Sequence, residues 1–586
     1  MSNAAALRRV DMPAHVFPRN VLLAFLVAWP FLFPFVAGPS TGVWQLLASW
    51  SCAVSMAMVA LTRGPLKLPA ASLSVWFVLT AALTAVGSGV LPQPMVSAVL
   101  AIAVAGLAAC TGAALASEAS DASGTSDTSL EQRWLANGLL VAGLVSALLG
   151  LLQYYGLAAP LSPWTTAPDV GQAYGNLRQR NQFASLINIA LIAALWLYAT
   201  RMRRQQRGLL QAAAVFLIVA QAAATSRTGL LQLICIAGVC AFIARRERQR
   251  RPADPSFSLP HPHLLLALIP LYFAAGWLLP HLAGSGVEGM GERLREGAPP
   301  GHSRLLLWHN VLTLIGEHPW RGWGWGELSF AHYTTLYDGP RFVEILDNAH
   351  NLPLQLAVEL GVPAAVAICG GFAWLVIAAQ PWREHDGARL MVWSVLGVIV
   401  LHSLLEYPLW YGPFQMLFGL CLGILWRGAL PGTSLSNARA TRRVQPLAAV
   451  ILMSVAVSVS GIAYAAYDYL RISQIYMARQ DRFAPWRDDT LAKIDRSWLF
   501  ANQVAFARLT LTPVTRANAA EVHALAEQVL HFSPEPRVIS KLIESASLLK
   551  RDDEANAQAR RFEIAFPVEY RHWLAGEPLT EPAAQP

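Results

Sequence analysis

The sequence predicts an all-α, polytopic integral membrane protein, and three observations predict it. Of the 586 residues, 55% are apolar and only 14% charged, where soluble globular chains carry about a quarter charged; mean hydropathy is +0.40. Apolar stretches of bilayer-crossing length recur through the first four-fifths of the chain. The loops joining them alternate between strongly basic and weakly charged. An ordinary cytosolic enzyme is excluded by this composition.

Taken in order, the apolar runs fall at about 20–37, 42–62, 71–91, 94–117, 134–158, 181–200, 208–224, 228–244, 263–281, 351–378, 390–407, 412–426 and 444–466, thirteen helices in all. The first is too long and too poorly flanked for a cleavable signal peptide, and no small-residue cleavage site follows it. Cys52, Cys110, Cys235, Cys240, Cys369 and Cys421 all lie inside apolar runs with no CxxC, and read as small apolar filler.

Alternate loops set the orientation. One set holds 21 basic and nine acidic residues, with Arg201, Arg203, Arg204 and Arg207, then Arg245, Arg246, Arg248, Arg250 and Arg251, as its densest runs. The other set holds only eight basic residues: Arg178, Arg180, Arg227, Arg293, Arg295, Arg304, Arg321 and Arg341. The positive-inside rule places the N-terminus in the cytoplasm and, after thirteen crossings, the C-terminus outside. The 118–133 loop is acidic and carries little information.

Four domains follow: helices 1–9 over 1–281, a long external loop over 282–350, helices 10–13 over 351–466, and an external tail over 467–586. The long loop opens on Gly284-Ser285-Gly286 and Gly297-Ala298-Pro299-Pro300-Gly301, and Arg304–Ile315 has the spacing of an interfacial helix. The tail reads as short amphipathic helices over Ala519–Val529, Arg537–Leu549 and Asp553–Ala565, similar to a tetratricopeptide-like solenoid but without a clean 34-residue repeat. Such a surface serves a partner or packs on its own membrane domain.

Polar residues at the ends of apolar helices are costly in a membrane and have a reason. Four clusters fall on the external face: Gly175-Asn176-Leu177-Arg178-Gln179-Arg180-Asn181-Gln182; Thr225-Ser226-Arg227-Thr228-Gly229; His302-Ser303-Arg304 with Trp308 and Pro319-Trp320-Arg321-Gly322-Trp323-Gly324-Trp325-Gly326; and Asp347-Asn348-Ala349-His350-Asn351 with the later Glu406-Tyr407-Pro408-Leu409-Trp410-Tyr411. Taken singly, each has a structural alternative. Asn and Gln cap helices, Arg227 can anchor an interface, and the Gly-Trp alternation suits an aromatic belt on a tight turn. Isolated His332 and His402 read as satisfied polar residues. Together, Arg forks that bind phosphate oxygens and a His able to accept a proton suit attack on a substrate with a diphosphate leaving group.

In these motifs, in this order and spacing, the chain resembles the bacterial O-oligosaccharyltransferases of the PglL type, within the O-antigen ligase and polymerase superfamily. The resemblance runs through most of the membrane region and includes the helical tail ending Ala565-Phe566-Pro567. It implies a GT-C-like, multi-helix glycosyltransferase of the bacterial inner membrane, with active site and C-terminus periplasmic. Such an enzyme moves a glycan from undecaprenyl diphosphate to a Ser or Thr hydroxyl of an exported, pilin-like protein.

Carried onto this sequence, the resemblance makes His350 the base or hydroxyl positioner and gives Arg304 and Arg227 to the diphosphate. Gln179 and Tyr407 match positions tied to activity. Asn181, Asn351, Arg180, Arg321 and Glu406 are substrate-binding candidates. It implies no metal, cofactor or nucleotide. An O-antigen ligase acting on lipid A core and a glycan polymerase are the nearest rivals, and the tail favours a protein acceptor over both. A lipid-linked glycan transporter would require midplane ionisable residues and internal repeats; only Glu359 and Glu406 lie near the crossings.

The net charge of +8 divides along the membrane: the internal loops carry +12, and the remaining segments together are weakly negative. No basic excess is left for nucleic acid. A phosphatase fused to the C-terminus is expected to be active in a bacterial host; an inactive fusion would overturn the thirteen-crossing topology.

Overall fold

Long apolar stretches become helices because the backbone can satisfy its own hydrogen bonds in lipid only that way. The computed structural model describes residues 16–579 apart from 37, 41, 63, 122–132, 201–203, 251–257, 284–288, 292–294, 296–300 and 428–440. Among the described residues the regular elements are all helical, with two isolated β-bridges. The Gly/Pro-rich opening of the long loop, most of the 118–133 loop, and Arg201, Arg203, Arg251 and Arg293 lie outside the described residues.

The N-terminal half contributes α1 (Val16–Leu32), α2 (Val43–Leu61), α3 (Ala71–Val86), α4 (Pro92–Asp121), α5 (Arg133–Tyr154), α6 (Arg180–Thr200), α7 (Arg204–Ala223), α8 (Arg227–Arg250), α9 (Pro262–Leu266) and α10 (Leu268–Ala283). The loop region holds α11 (Arg304–Glu317), α12 (Leu328–Thr334) and α13 (Leu352–Leu360). After α14 (Val362–Ala365) and α15 (Gly371–Ala379) come α16 (Gly387–Ser403), α17 (Gly412–Leu425) and α18 (Thr441–Ser473). The tail adds α19 (Thr490–Ile494), α20 (Ala501–Leu511), α21 (Ala519–Phe532), α22 (Pro536–Leu548), α23 (Asp552–Ala565) and α24 (Pro567–Leu574).

Eight of the described helical stretches are long and apolar enough to cross a membrane, and four more are apolar but shorter. The protein is therefore a multi-pass membrane protein. Apolar side chains such as Phe25, Val78, Leu148 and Phe242 stand exposed on these helices, as a lipid-facing surface requires. Helices α6 and α17 are buried along nearly their whole length at the centre of the bundle, mostly apolar but with Asn181, Ser185 and Asn188 on one face of α6 and Gln415 on α17. Lipid provides no hydrophobic drive between helices, so close packing must hold them. Gly419 and Gly423 of α17 supply it, lying against the backbone of Ala105 and Ala109 on α4, where a Cβ would collide.

The structure corrects one element of the sequence reading. The apolar run from 351 to 378 is not a single crossing. It breaks at Gly361, whose φ of +86° ends α13, and the membrane-length stretch begins at Val362. Helix α13 instead packs Leu356, Val358 and Leu360 with Leu307, Val311 and Leu314 of α11 in a core separate from that of the main bundle. The backbone of the 319–326 turn crosses at this break: Val362 N–H donates to Pro319 at 2.8 Å, and Trp323 N–H to Val358 at 2.9 Å.

The helices α21, α22 and α23 match the amphipathic runs of the sequence, with α19, α20 and α24 in addition. They dock on α12, where Tyr333 joins the tail's own core and its hydroxyl donates to Gln558 at 3.0 Å.

At the crossing, Gly322 has φ +68° and its missing Cβ would overlap the backbone of Glu359. Gly322→Ala is expected to destabilise the loop core by about 2–4 kcal/mol, combining left-handed strain with overpacking. The measurement is the melting temperature and protease resistance of the purified full chain; unchanged values would refute the crossing.

Candidate active site

The entry to α6 is fixed by side chains that satisfy its irregular backbone. Buried Gln153 on α5 accepts from Tyr174 and Gly175 N–H and donates to the Gly175 carbonyl at 3.1 Å. Asn176 donates to Leu32 at 2.8 Å and Arg178 to Pro34 at 2.6 Å, tying this entry to the end of α1. Gln179 Oε1 accepts from Gln182 N–H at 2.6 Å, so this residue caps α6.

Asn181, which follows, reaches a buried carboxylate. Glu406 is 4% exposed, just beyond the end of α16. Its Oε1 accepts from Asn181 Nδ2 at 2.8 Å and pairs with Arg304, the first residue of α11. Its Oε2 lies 2.7 Å from His350 Nδ1. A carboxylate this dry is tolerable only when its lone pairs are matched by cationic and amide donors, as here.

His350 is held from every side. Its φ is +49°, a strained value for a non-glycine residue. Asn348 Oδ1 accepts its N–H at 2.9 Å, and the preceding Ala349 is clamped by Gln355 Oε1 and by the Trp308 indole. Next in the chain, Asn351 caps α13 through Leu354 N–H at 3.1 Å and donates to the Leu404 carbonyl at 2.9 Å, tying the loop to the end of α16. The Tyr407 ring stands edge-on to the imidazole, centroids 5.0 Å apart.

Burial, and then the Arg304 charge, pull His350 down from 6.5 to about 4. The ring is therefore neutral at pH 7. The contact with Glu406 selects the tautomer carrying the proton on Nδ1, which leaves the Nε2 lone pair as acceptor. Burial also lowers Arg304 below the usual guanidinium range, and Arg227 acts on it as a like charge. Arg227 itself is exposed at the first residue of α8. Two guanidinium groups with one carboxylate, beside a neutral imidazole, suit an anionic ligand next to a proton acceptor.

Beneath this group a polar seam joins three helices inside the bundle. Asn181 Oδ1 accepts from Ser226 Oγ at 2.6 Å, and Ser226 in turn caps α8 at Gly229 N–H. One and two turns further along α6, Ser185 contacts His402 Nδ1 at 2.9 Å and Asn188 donates to Gln232 Oε1 at 3.0 Å. His402 is the penultimate residue of α16, and its carbonyl accepts the Glu406 N–H at 2.8 Å. Ser185, Gln232 and His402 were not candidates from the sequence. The signal was the polar spacing 181, 185, 188 along one face of α6.

Of the sequence candidates, His350, Arg304, Asn181, Glu406 and Tyr407 come together directly, and Arg227 electrostatically. Asn351 and Gln179 support as caps. Arg180 is half-buried one residue before Asn181. Arg321 does not join the group: it is exposed on the 319–326 turn, with no hydrogen bond or ion pair among the described residues. His332 is a satisfied core histidine, bonded to Tyr337 and the Phe342 carbonyl. Asp347 is solvent-exposed three residues before His350, and its charge is felt at Tyr407 and Tyr411. Among the described residues, the group with metal-ligand spacing is His523, Glu527 and Glu554 in the tail, where Arg551 already occupies His523 Nε2 at 2.9 Å.

Since its folded value lies below 6.5, His350 costs stability as pH falls from 6.5 towards 4 and adds no further dependence below that. Arg304→Gln removes a repelling charge and is expected to raise His350 towards 6.5, read by nitrogen-15 NMR titration of the ring. An unmoved midpoint would refute the coupling.

Three family descriptions match the chain. "Protein glycosylation ligase" matches residues 173–198, "O-Antigen ligase" 212–369, and "Virulence factor membrane-bound polymerase, C-terminal" 390–578. Each contributes one arm of the Glu406 group: Asn181, then Arg304 with His350, then Glu406 itself. The chain is 27% identical over 302 residues to a general O-oligosaccharyltransferase of Acinetobacter baylyi, covering 49% of each protein. It is 24% identical over 255 residues to a ComP-specific O-oligosaccharyltransferase of the same organism, covering 44% of each. These matches thus span about half the length of the curated relatives. On these matches the chain is similar to bacterial O-oligosaccharyltransferases of the PglL type and, over 212–369, to the O-antigen ligases.

Proposed function

We propose that this protein transfers an oligosaccharide en bloc from undecaprenyl diphosphate to a Ser or Thr hydroxyl of an exported, pilin-like protein, without a metal. The observation that carries this reading is the Glu406 carboxylate gathering His350, Arg304 and Asn181 on one face of the membrane. In the proposed step, the acceptor hydroxyl oxygen attacks the anomeric carbon while its proton passes to His350 Nε2. The bond from that carbon to the diphosphate oxygen breaks, and the lipid diphosphate leaves with the electron pair. Glu406, accepting from Nδ1, stabilises the imidazolium as it forms. Arg304 and Arg227 neutralise the leaving group, and Arg180, adjacent to Asn181 in the chain, adds a third guanidinium to that end of α6. Gln179 and Asn351 act through the backbone they cap, and Tyr407 through the wall it forms at the imidazole.

The same reading places thirteen crossings in the bacterial inner membrane, with a cytoplasmic N-terminus and a periplasmic site and tail. The external domain then extends from 282 to Gly361, because α13 packs with the loop. The tail, a tetratricopeptide-like helical array docked beside α12, is where an acceptor protein would be held. The O-antigen ligase match over 212–369 and the polymerase match over 390–578 favour a second reading, in which the acceptor is lipid A core or another lipid-linked glycan.

Expression in a glycan-loaded bacterial host with a candidate pilin tests both readings, with mass spectrometry of Ser and Thr peptides as readout. His350→Ala is expected to lower transfer about 10²–10⁴-fold, with the protein still folded. Transfer at the wild-type level would refute the mechanism, and glycan found on lipid A but never on protein would favour the ligase.

A further inference from the structure

The run Trp320-Arg321-Gly322-Trp323-Gly324-Trp325-Gly326 is more than an aromatic belt, because its three indoles have three different surroundings. Trp320 is 78% exposed and suits the interface. Trp323 turns inward, its indole N–H donating to Leu314 at 3.0 Å with the ring against His318. Trp325 does neither. Its ring lies parallel to that of Trp410, with centroids 6.1 Å apart and planes 7° apart, an offset stack. Neither indole N–H of this pair has a partner among the described residues.

Both rings sit on rigid supports. Trp325 N–H donates to Gly87 at 2.8 Å, and the flanking Gly324 and Gly326 N–H groups bond Glu359 through its carbonyl and carboxylate. Trp410 ends the 3-10 turn Pro408–Trp410 and is 37% exposed. This pair continues an aromatic wall that begins at the imidazole. His350 meets Tyr407 at 5.0 Å, Tyr407 meets Trp410 edge-on at 6.5 Å, and Trp410 meets Trp325.

We propose that Trp410 and Trp325 form a sugar-stacking platform that holds the glycan beyond its first residue; this rests on the glycosyl-transfer reading above. Sugar rings carry apolar C–H faces that pack on indole planes, where weakly positive hydrogens meet the negative face of the ring. The unpartnered indole N–H groups are donors for hydroxyl or acetamido oxygens. Stacking recognises the shape of a pyranose face more than its hydroxyl pattern, so the platform favours chain length over one particular sugar.

The test uses the purified full chain with a Ser peptide and two polyprenyl diphosphate donors, one carrying a single N-acetylhexosamine and the other a trisaccharide. Trp410→Ala and Trp325→Ala are expected to raise KM for the trisaccharide donor about tenfold, corresponding to about 1.4 kcal/mol of lost binding. The rise for the monosaccharide donor is expected to be far smaller, and Trp410→Phe to recover much of the loss. Equal changes on both donors, in variants that melt like the wild type, would reduce the pair to a structural role and overturn the proposal. Unchanged KM on both would leave an aromatic belt and also overturn it. His350→Ala, run in parallel, separates the two levels: undiminished transfer there would refute the catalytic reading, not the platform.

Discussion

The region that joins the 304–361 segment to the ends of the apolar helices is organised around one buried carboxylate. Glu406 sits 4% exposed at the end of a membrane helix, where an unpaired charge would be prohibitive. Its two oxygens must therefore be met, and the partners come from three separate parts of the chain: Asn181 from the entry to α6, Arg304 from the start of α11, and His350 from the turn before α13. Removing any one leaves the others with unmatched charge or donors. That mutual requirement brings a loop of several dozen residues into register with the membrane helices.

The polar seam below explains how Glu406 is kept in place. Its own N–H is tied to His402, and His402 is tied to Ser185, which shares Gln232 with Asn188. Hydrogen bonds between helices in a membrane are individually modest. A connected set is more restrictive, because each member fixes the rotamer of the next. Helices α6, α8 and α16 thereby present Asn181, Arg227 and Glu406 at one level. His402 Nε2 and Asn188 Oδ1 have no partner among the described residues.

Coupling to the tail runs through the same loop. Glu327, buried between the Trp-Gly turn and α12, accepts from Val90 N–H at 2.8 Å and pairs with His531 of α21 at 2.6 Å, while the His531 ring stacks on Phe330. The turn that carries Trp325 is thus bonded on one side to the membrane helices and on the other to the tail. A tail bound to a partner would sit a few residues from the aromatic wall leading to His350.

Composition and periodicity are local quantities, and they determined what is local. The membrane class, the helices, the expected orientation and the amphipathic tail all follow from run length and from the placement of Arg. His350, Arg304, Asn181 and Glu406 were visible as polar exceptions at helix ends, but as members of four separate clusters. Only the tertiary structure decided that Glu406 is their common partner, because the contacts that join them span 225, 102 and 56 residues of chain. It also decided that α13 belongs to the loop, since the apolar run continues through Gly361 and only the crossing of the 319–326 turn shows why the helix stops there. Arg321 has the same chemistry as Arg304 and nearly the same position in the loop, yet it stays outside the group. Periodicity reports which face of a helix is apolar; which faces meet is set by packing between elements distant in sequence.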